Sequence, residues 1–264
     1  MSLGNLLKMK TALEDEVQYY FRLDDDLTHL NPLIGKEIEL VFEGQINCIS
    51  CGAKTKKSFA QGFCYKCFIS APESSPCIIK PELCEAHLGK GRDVAWEEAH
   101  HNQPHIVYLA KSSAVKVGVT RSTQMPTRWI DQGASEAIVL AEVPYRRLAG
   151  EIEVALIDHF TDKTNWQRML KNEVSTKDLL EIKEKCIEQF LPNEYKEYAS
   201  DKNEILSFNY PVADYPQKIK SISFDKEPVI TSTLHGIKGQ YLYFDNGKVM
   251  NVRKHSGYLV KLNT

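Results

Sequence analysis

The chain has 264 residues, 42% hydrophobic and 26% charged, a composition that is typical of globular proteins and excludes a disordered chain. The formal net charge is −2, so the overall charge does not indicate nucleic-acid binding, and any phosphate-binding site must be local. No apolar run approaches the roughly 20 residues that span a bilayer, and the N-terminal sequence lacks the apolar region of a secretion signal. We therefore expect a cytoplasmic protein without a membrane partner.

Sequence patterns divide the chain into five segments. Residues 1–45 end in GKEIELVFEGQI, whose alternation predicts a β-strand at residues 37–42. Residues 46–104 hold six of the seven cysteines and indicate a loop-rich, metal-organised region. Residues 105–172 predict a compact α/β core, and residues 173–206 predict a charged helical segment with Cys186 as a small buried residue. Residues 207–264 predict a small antiparallel β unit with a hairpin at FDNGKV, which the 37–42 strand could join.

The predicted core consists of strand, strand, helix, strand and helix. IVYLA and VKVGVT form a hairpin, TQMPTRWIDQG predicts a short helix, and AIVLAEVPY predicts a third strand. LAGEIEVALIDHF, residues 148–160, predicts an amphipathic helix. One stripe of this helix carries the apolar residues Leu148, Ile152, Leu156 and Phe160.

Two CxxC pairs lie in CISCGAKTKKSFAQGFCYKC, with a loop of 12 residues between them. Four thiolates satisfy the tetrahedral coordination of Zn²⁺, and in a chain without an export signal cysteines favour metal binding over disulfides. A redox dithiol pair is the alternative, but two pairs at this spacing favour a structural zinc ribbon. Its predicted ligands are Cys48, Cys51, Cys64 and Cys67.

A second cluster follows the zinc ribbon, with irregular spacing. Cys77, Cys84 and His87 could supply three ligands of a second zinc ion, with His101 from the HHNQPH stretch as the fourth. The alternative is two buried cysteines and a surface histidine. Three protein ligands with an open position would instead fit a catalytic zinc.

The hairpin and the residues after it resemble the GIY-YIG nuclease superfamily. The resemblance rests on IVY followed by KVG, an arginine on the next helix, a glutamate on a later helix and an asparagine beyond it. The run from the zinc ribbon through DKTNWQRML also resembles an uncharacterised bacterial family that joins a cysteine-rich N-terminal part to a divergent GIY-YIG-like core. The resemblance extends over about residues 45–172. Together with the residue patterns it predicts an α+β fold: a zinc ribbon, a small GIY-YIG-like core with a mixed three-stranded sheet and flanking helices, and then the small C-terminal antiparallel β unit.

The superfamily resemblance implies phosphodiester cleavage with one Mg²⁺ or Mn²⁺ ion. It assigns Tyr108 to orienting or deprotonating the attacking water and Arg128 to neutralising charge on the phosphate. It assigns Glu153 to the metal ion and Asn165 to support of the metal or phosphate site, although Asn165 could equally be a turn residue. Glu151 is about 200° from Glu153 on a helix and is not expected to share the ion.

Two departures from the superfamily pattern bear on the site. The first glycine of its first motif is absent, and Lys116 replaces the tyrosine that opens its second motif. Lysine could clamp phosphate or, if desolvated beside Arg128, titrate low enough to act as a base.

The length of the hairpin turn decides which residues share a face. An odd number of turn residues places Tyr108, Lys116 and Gly118 together, whereas an even number places Tyr108 with three valines on a core face. The residues alone leave both open, and the superfamily resemblance favours the odd turn.

The sequence therefore predicts a nucleic-acid-binding protein, with DNA favoured over RNA as its partner, and metal-dependent phosphodiester cleavage. One alternative is a module that grips phosphate but has lost cleavage. Another is a zinc-stabilised protein-interaction module that binds no nucleic acid.

Overall fold

A computed structural model describes residues 2–160 and 165–264, and Asp162–Thr164 of the DKTNWQRML stretch lie outside the described residues. The protein has a mixed α+β fold and separates into two compact units. Unit 1 contains the chain up to Ser70 together with Asn209–Thr264, and unit 2 contains Ala71–Phe208. Among the described residues, no helix combines the length and apolar character needed to cross a membrane.

The strands and α-helices follow in chain order. The strands are β1 (Ser2–Ala12), β2 (Gln18–Leu23), β3 (Asp26–His29), β4 (Glu37–Asn47), β5 (Lys54–Thr55), β6 (His105–Lys111), β7 (Val115–Arg121), β8 (Glu136–Val143), β9 (Leu206–Ser207), β10 (Lys220–Ile222), β11 (Val229–Thr233), β12 (Gly236–Lys238), β13 (Tyr241–Tyr243), β14 (Lys248–Asn251) and β15 (Tyr258–Asn263). The α-helices are α1 (Tyr65–Ser70), α2 (Val94–His100), α3 (Thr127–Asp131), α4 (Arg146–Ile157), α5 (Trp166–Leu170) and α6 (Leu179–Lys185).

Unit 1 joins the two ends of the chain in one sheet. Its described strands run β11–β4–β15–β1–β2–β3, and β5 pairs with β4. The predicted strand at residues 37–42 is part of β4, which pairs antiparallel with both β11 and β15, as expected. Alternate residues of these strands point into the core, so Leu6, Leu40 and Val260 are fully buried. The sequence segments 1–45 and 207–264 therefore contribute to one unit.

The predicted C-terminal β unit is antiparallel only in part. β12, β13 and β14 form antiparallel pairs, and Asn246 and Gly247 of the FDNGKV hairpin adopt positive φ angles of 57° and 69°. β10, however, pairs with β14 in parallel. The chain between them passes through β11, β12 and β13, which gives it the length that a parallel connection requires.

Unit 2 is built on a sheet in the order β7–β6–β8–β9. The expected mixed three-stranded sheet is wrong, because a fourth short strand is present and all three pairings are antiparallel. β6 is the centre of this sheet and all seven of its residues are buried. It pairs antiparallel with β7 on one side and β8 on the other, so β7 and β8 run in the same direction without touching.

Helix α4 covers one face of this sheet. The predicted stripe is confirmed, because Leu148, Ile152 and Leu156 are buried with the sheet residues, and Phe160 packs against the same cluster. The charged segment forms α6 and continues as one π-helical stretch, Cys186–Phe190, before Pro192. Cys186 is completely buried in this core, as the sequence predicts.

Candidate functional site

The first cysteine group lies in unit 1, between the end of β4 and α1. Cys48, Cys51, Cys64 and Cys67 each offer a sulfur atom, and these atoms lie within 4.8 Å of one another. Cys48 and Cys51 are brought together by a tight turn in which Gly52, with φ +72°, donates its N–H to the Cys48 carbonyl at 2.8 Å. The Cys51 and Cys64 sulfurs are 3.9 Å apart. Two thiolates bound tetrahedrally to zinc at about 2.3 Å would be about 3.8 Å apart, so these residues fit a zinc ion.

The surroundings of this group shift the pKa values of two of its thiols in opposite directions. Burial raises the pKa of the Cys48 thiol, but backbone N–H groups of Cys64, Cys51 and Ser50 outweigh it and lower that pKa to about 6. The pKa of Cys67 is raised to about 12, mainly by hydrogen bonds to the neighbouring thiols. Metal binding would require each of the four cysteines to be a thiolate. With four protein ligands, such a zinc ion would hold structure.

The second group lies in unit 2 and brings together Cys77, Cys84, Glu97 and His101, all buried, again within 4.8 Å. His101 Nδ1 lies 3.8 Å from the Cys77 sulfur and 3.6 Å from the Cys84 sulfur, and it contacts Glu97 Oε2. Zinc bound to sulfur at about 2.3 Å and nitrogen at about 2.0 Å would separate these atoms by about 3.6 Å. This set, too, could bind zinc.

The ligand set differs from the sequence prediction at one position. His87 stands outside the group, and its ring stacks on Tyr145 with the centroids 4.6 Å apart. Glu97 takes its place, one helical turn before His101 in a helix capped by Asp93. The spacing of Glu97 and His101, four residues apart, is a signal that the sequence contains, because such residues share a helix face.

The pKa values of the two thiols of the second group are shifted in opposite directions. A hydrogen bond from the Cys84 thiol lowers the pKa of Cys77 to about 4, against the effect of burial. The same hydrogen bond and burial raise the pKa of Cys84. Metal binding would require both cysteines to be thiolates.

The second group is fastened to α4. Arg146 donates from Nε and Nη2 to the Cys77 carbonyl at 3.0 and 2.9 Å, and from Nη2 to the Ile78 carbonyl at 3.0 Å. Its backbone N–H donates to the His101 carbonyl at 2.9 Å. One turn later Gly150 lies against the backbone of Pro81 and Glu82, where a Cβ atom would come within 2.2 Å of the Glu82 nitrogen. The segment that contains Cys77 and His101 thus holds the helix that carries Glu153.

The turn of the hairpin β6–β7 has an odd number of residues. Lys111 pairs with Val115, so Ser112, Ser113 and Ala114 form a three-residue turn. Tyr108 then pairs with Gly118, and Ala110 pairs with Lys116. Directly opposite residues share a face in an antiparallel pair, so Tyr108, Lys116 and Gly118 lie on one face.

Four of the predicted site residues act on one another electrostatically. Burial, and to a smaller extent the charge of Arg128, lower the pKa of Lys116 to about 8, and the charge of Glu153 opposes the shift. Burial also raises the pKa of Tyr108. The charge of Arg128 and a hydrogen bond to Arg128 oppose this rise, whereas the charge of Glu153 adds to it. Charges influence one another in this way only at short range, so these side chains lie near one another.

The side chain of Tyr108 is held in place by its neighbours. It is completely buried, its hydroxyl donates to Gln132 Oε1 at 3.0 Å, and its ring meets Trp129 edge-on at 5.7 Å. Gly118 makes room for the ring, because a Cβ atom there would lie 2.7 Å from the hydroxyl oxygen.

Asn165 has a different position. Its side-chain oxygen accepts from the backbone N–H groups of Gln167 and Arg168 at 3.1 Å, so it caps α5. Its own N–H donates to Ser113 in the hairpin turn at 3.2 Å. The structure therefore shows a helix cap tied to the hairpin, and the metal-supporting role of Asn165 stays a prediction.

His105 is the first residue of β6, between His101 of the second group and Tyr108 of the hairpin in the sequence. It is completely buried, and its Nδ1 hydrogen donates to the Gln103 carbonyl at 2.7 Å. Burial lowers its pKa to about 4, so the ring is neutral at neutral pH.

Comparison with known proteins gives a family but no characterised relative. No curated protein and no solved structure gave a significant match to the chain. A family model described as "Protein of unknown function (DUF2797)" matches residues 35–260, a range that includes both cysteine groups and the hairpin site. Because this match extends over most of the chain, the protein belongs to that family.

Proposed function

We propose that β6, β7, α3 and α4 form a site that binds a phosphodiester group of a nucleic acid and cleaves it with the help of one Mg²⁺ or Mn²⁺ ion. The observation that supports this proposal is that Tyr108 and Lys116 share one face of the hairpin and that the charges of Arg128 and Glu153 act on both. The resemblance of the same positions to the GIY-YIG nuclease superfamily supports it. DNA is the favoured partner, and RNA is tested beside it.

The charges suit a phosphate and a metal ion together. The guanidinium of Arg128 matches two phosphate oxygens at once, and the carboxylate of Glu153 suits a hard divalent cation. A divalent ion at Glu153 would polarise the phosphoryl group and stabilise the negative charge of the transition state.

Lys116 is the better candidate for the base. The buried Tyr108 hydroxyl donates to Gln132 and its pKa is raised, so the tyrosine keeps its proton and orients the site. With a pKa of about 8, Lys116 has a neutral fraction near neutral pH. Its Nζ would accept the proton of a water molecule while the water oxygen bonds to phosphorus and the bond to the leaving oxygen breaks.

A second candidate function is a phosphate-binding module without cleavage. Lys116 in place of a tyrosine and the complete burial of Tyr108 favour it. In that case Arg128 and a protonated Lys116 would bind the phosphate as two cations, and no bond would break.

A cleavage assay tests the proposal. Zinc-loaded protein would be incubated with Mg²⁺ or Mn²⁺ and plasmid, branched DNA or RNA. Removal of a single charge-stabilising group at an active site costs about a hundredfold or more in rate, so Glu153→Ala and Arg128→Ala should lose cleavage. Glu151→Ala is the matched control, because Glu151 is two residues away on α4 and pairs with Arg147; it should keep the wild-type rate.

The other outcomes separate the alternatives. No cleavage by the wild type, with binding that Arg128→Ala weakens, would replace the nuclease with the phosphate-binding module. Cleavage that persists in Glu153→Ala would place the activity elsewhere. No binding of any nucleic acid at low salt would favour the protein-interaction module.

A further inference from the structure

The zinc ribbon of unit 1 carries aromatic rings on its surface. Tyr65 and Phe68 lie three residues apart in α1, on one side of the helix, and are 61% and 36% exposed. Both rings contact Phe59, with centroids 5.5 and 5.8 Å away. Phe63, by contrast, is 6% exposed and fills the interior of the ribbon. Phe59, Tyr65 and Phe68 thus form a surface of rings that we call the aromatic surface.

The same part of the chain is positively charged. Residues 44–72 contain four lysines and no aspartate or glutamate, although the whole chain has a net charge of −2. The Lys57 ammonium group lies 5.3 Å from the centre of the Phe59 ring, and Lys66 follows Tyr65 in α1. The Lys57 cation therefore lies beside the Phe59 ring, and an anionic ligand would meet no acidic side chain within this stretch.

We propose that the aromatic surface and its lysines bind unpaired bases of a single-stranded nucleic acid. Rings stack on bases of any sequence, and lysines bind the phosphates between them, which is the combination that single-strand-binding surfaces use. Paired bases expose only their edges, so a duplex would engage the lysines but not the rings. This inference rests on the proposed function for nucleic acid as the ligand and names its substrate class as single-stranded or locally unpaired.

Stacking and charge can be tested separately. Zinc-loaded full-length protein carrying Glu153→Ala would be titrated against labelled single strands of about 12 nucleotides, and binding measured by fluorescence anisotropy. The probes are a DNA strand, the RNA strand of the same sequence, the DNA duplex, and an abasic strand that keeps every phosphate but has no bases.

Two pairs of substitutions address the rings and the charges. Tyr65→Ala with Phe68→Ala should weaken binding of the DNA or RNA strand about fivefold or more for each ring, and should leave the abasic strand unchanged. Lys57→Gln with Lys66→Gln should weaken binding of the base-containing strand and of the abasic strand alike. It should also make the slope of log affinity against log salt shallower by about 1.4. The controls are Val229→Ala, an apolar residue 51% exposed, and Lys218→Gln with Lys226→Gln, exposed lysines of the same unit.

Specific results would overturn the inference. Equal affinity for the abasic and base-containing strands, or full affinity in the ring variant at unchanged zinc content, would show that bases are not stacked there. Displacement by polyglutamate with no effect of ring removal would identify an acidic protein surface as the ligand instead. Retained cleavage without single-strand binding would overturn this inference alone, whereas single-strand binding without cleavage would overturn only the nuclease.

Discussion

Gly118 lies directly opposite Tyr108 in the β6–β7 ladder, and a Cβ atom at position 118 would lie 2.7 Å from both the tyrosine Cζ and its hydroxyl oxygen. The tyrosine can be buried against the sheet only because its strand neighbour has no side chain. This pair fixes the orientation of the ring that meets Arg128, Gln132 and Trp129. The glycine at position 118 is therefore required for the placement of Tyr108 in the candidate site.

We predict that Gly118→Ala lowers the free energy of unfolding by about 1–3 kcal/mol, as overpacking of a close-packed interior does. The ring of Tyr108 must move, because the new methyl group would meet rigid ring atoms. Urea unfolding would measure the change. In a Tyr108→Leu background the alanine should cost less, and equal costs in the two backgrounds would contradict the contact.

We predict that Lys116 titrates near pH 8 and that its neighbours move its pKa in opposite directions. Burial is the main cause of the lowered pKa. Removing the carboxylate charge in Glu153→Gln should lower the pKa further, and removing the guanidinium in Arg128→Gln should raise it. NMR titration of isotope-labelled methylated lysines would follow the group, with Lys116→Gln to assign its signal.

The same shift sets a pH dependence of stability. The pKa of Lys116 is lowered in the folded protein from 10.5 to about 8, so between these values the unfolded chain holds more protons. The free energy of unfolding should therefore rise with pH over this window, relative to Lys116→Met, which lacks the titrating group. If the difference in unfolding free energy between the wild type and Lys116→Met fell with pH between about 8 and 10.5, Lys116 would not be a desolvated lysine.

We predict two zinc ions per chain, which elemental analysis of purified protein would measure. Cys51→Ser should lose the ion of the first group and Cys84→Ser that of the second, because each removes one of four ligands. Cys186→Ala should keep both ions, since this buried cysteine belongs to neither group.

The second site also distinguishes two ligand sets. Glu97→Gln should weaken binding of the second zinc ion. His87→Ala should leave that binding unchanged, because His87 stacks on Tyr145 outside the group. The reverse result would restore the histidine that the sequence alone suggests.

We predict that Gly150→Ala destabilises unit 2 although alanine favours a helix by about 1 kcal/mol over glycine. The new Cβ would collide with the backbone at Pro81 and Glu82, which cannot rotate away as a flexible side chain can. Urea unfolding should show a net loss of about 1–3 kcal/mol. Val154→Ala, an exposed position of the same helix, should change little, and a stabilised Gly150→Ala would show that the two segments are not in close contact.

Local patterns predicted the elements whose cause is local. The CxxC pairs predict the first group because each motif brings two cysteines close together in consecutive sequence, as the turn from Cys48 to Gly52 shows. The stripe from Leu148 to Phe160 predicts α4 because helical periodicity is written in consecutive residues. β1, β2 and β3 were not predicted. β1 pairs with β15 from the other end of the chain, whereas β2 pairs with its sequence neighbours β1 and β3.

The sequence by itself determined the residue types of the site: two CxxC pairs, a hairpin with a tyrosine, a lysine and a glycine, and a helix with a glutamate. The tertiary structure decided which of them meet. A three-residue turn placed Lys116 and Gly118 on the face of Tyr108, and helix α2 brought Glu97 rather than His87 to the second group. The physical reason is that one residue more or less in a turn reverses a strand's faces, and a ligand set depends on contacts between segments far apart in the chain.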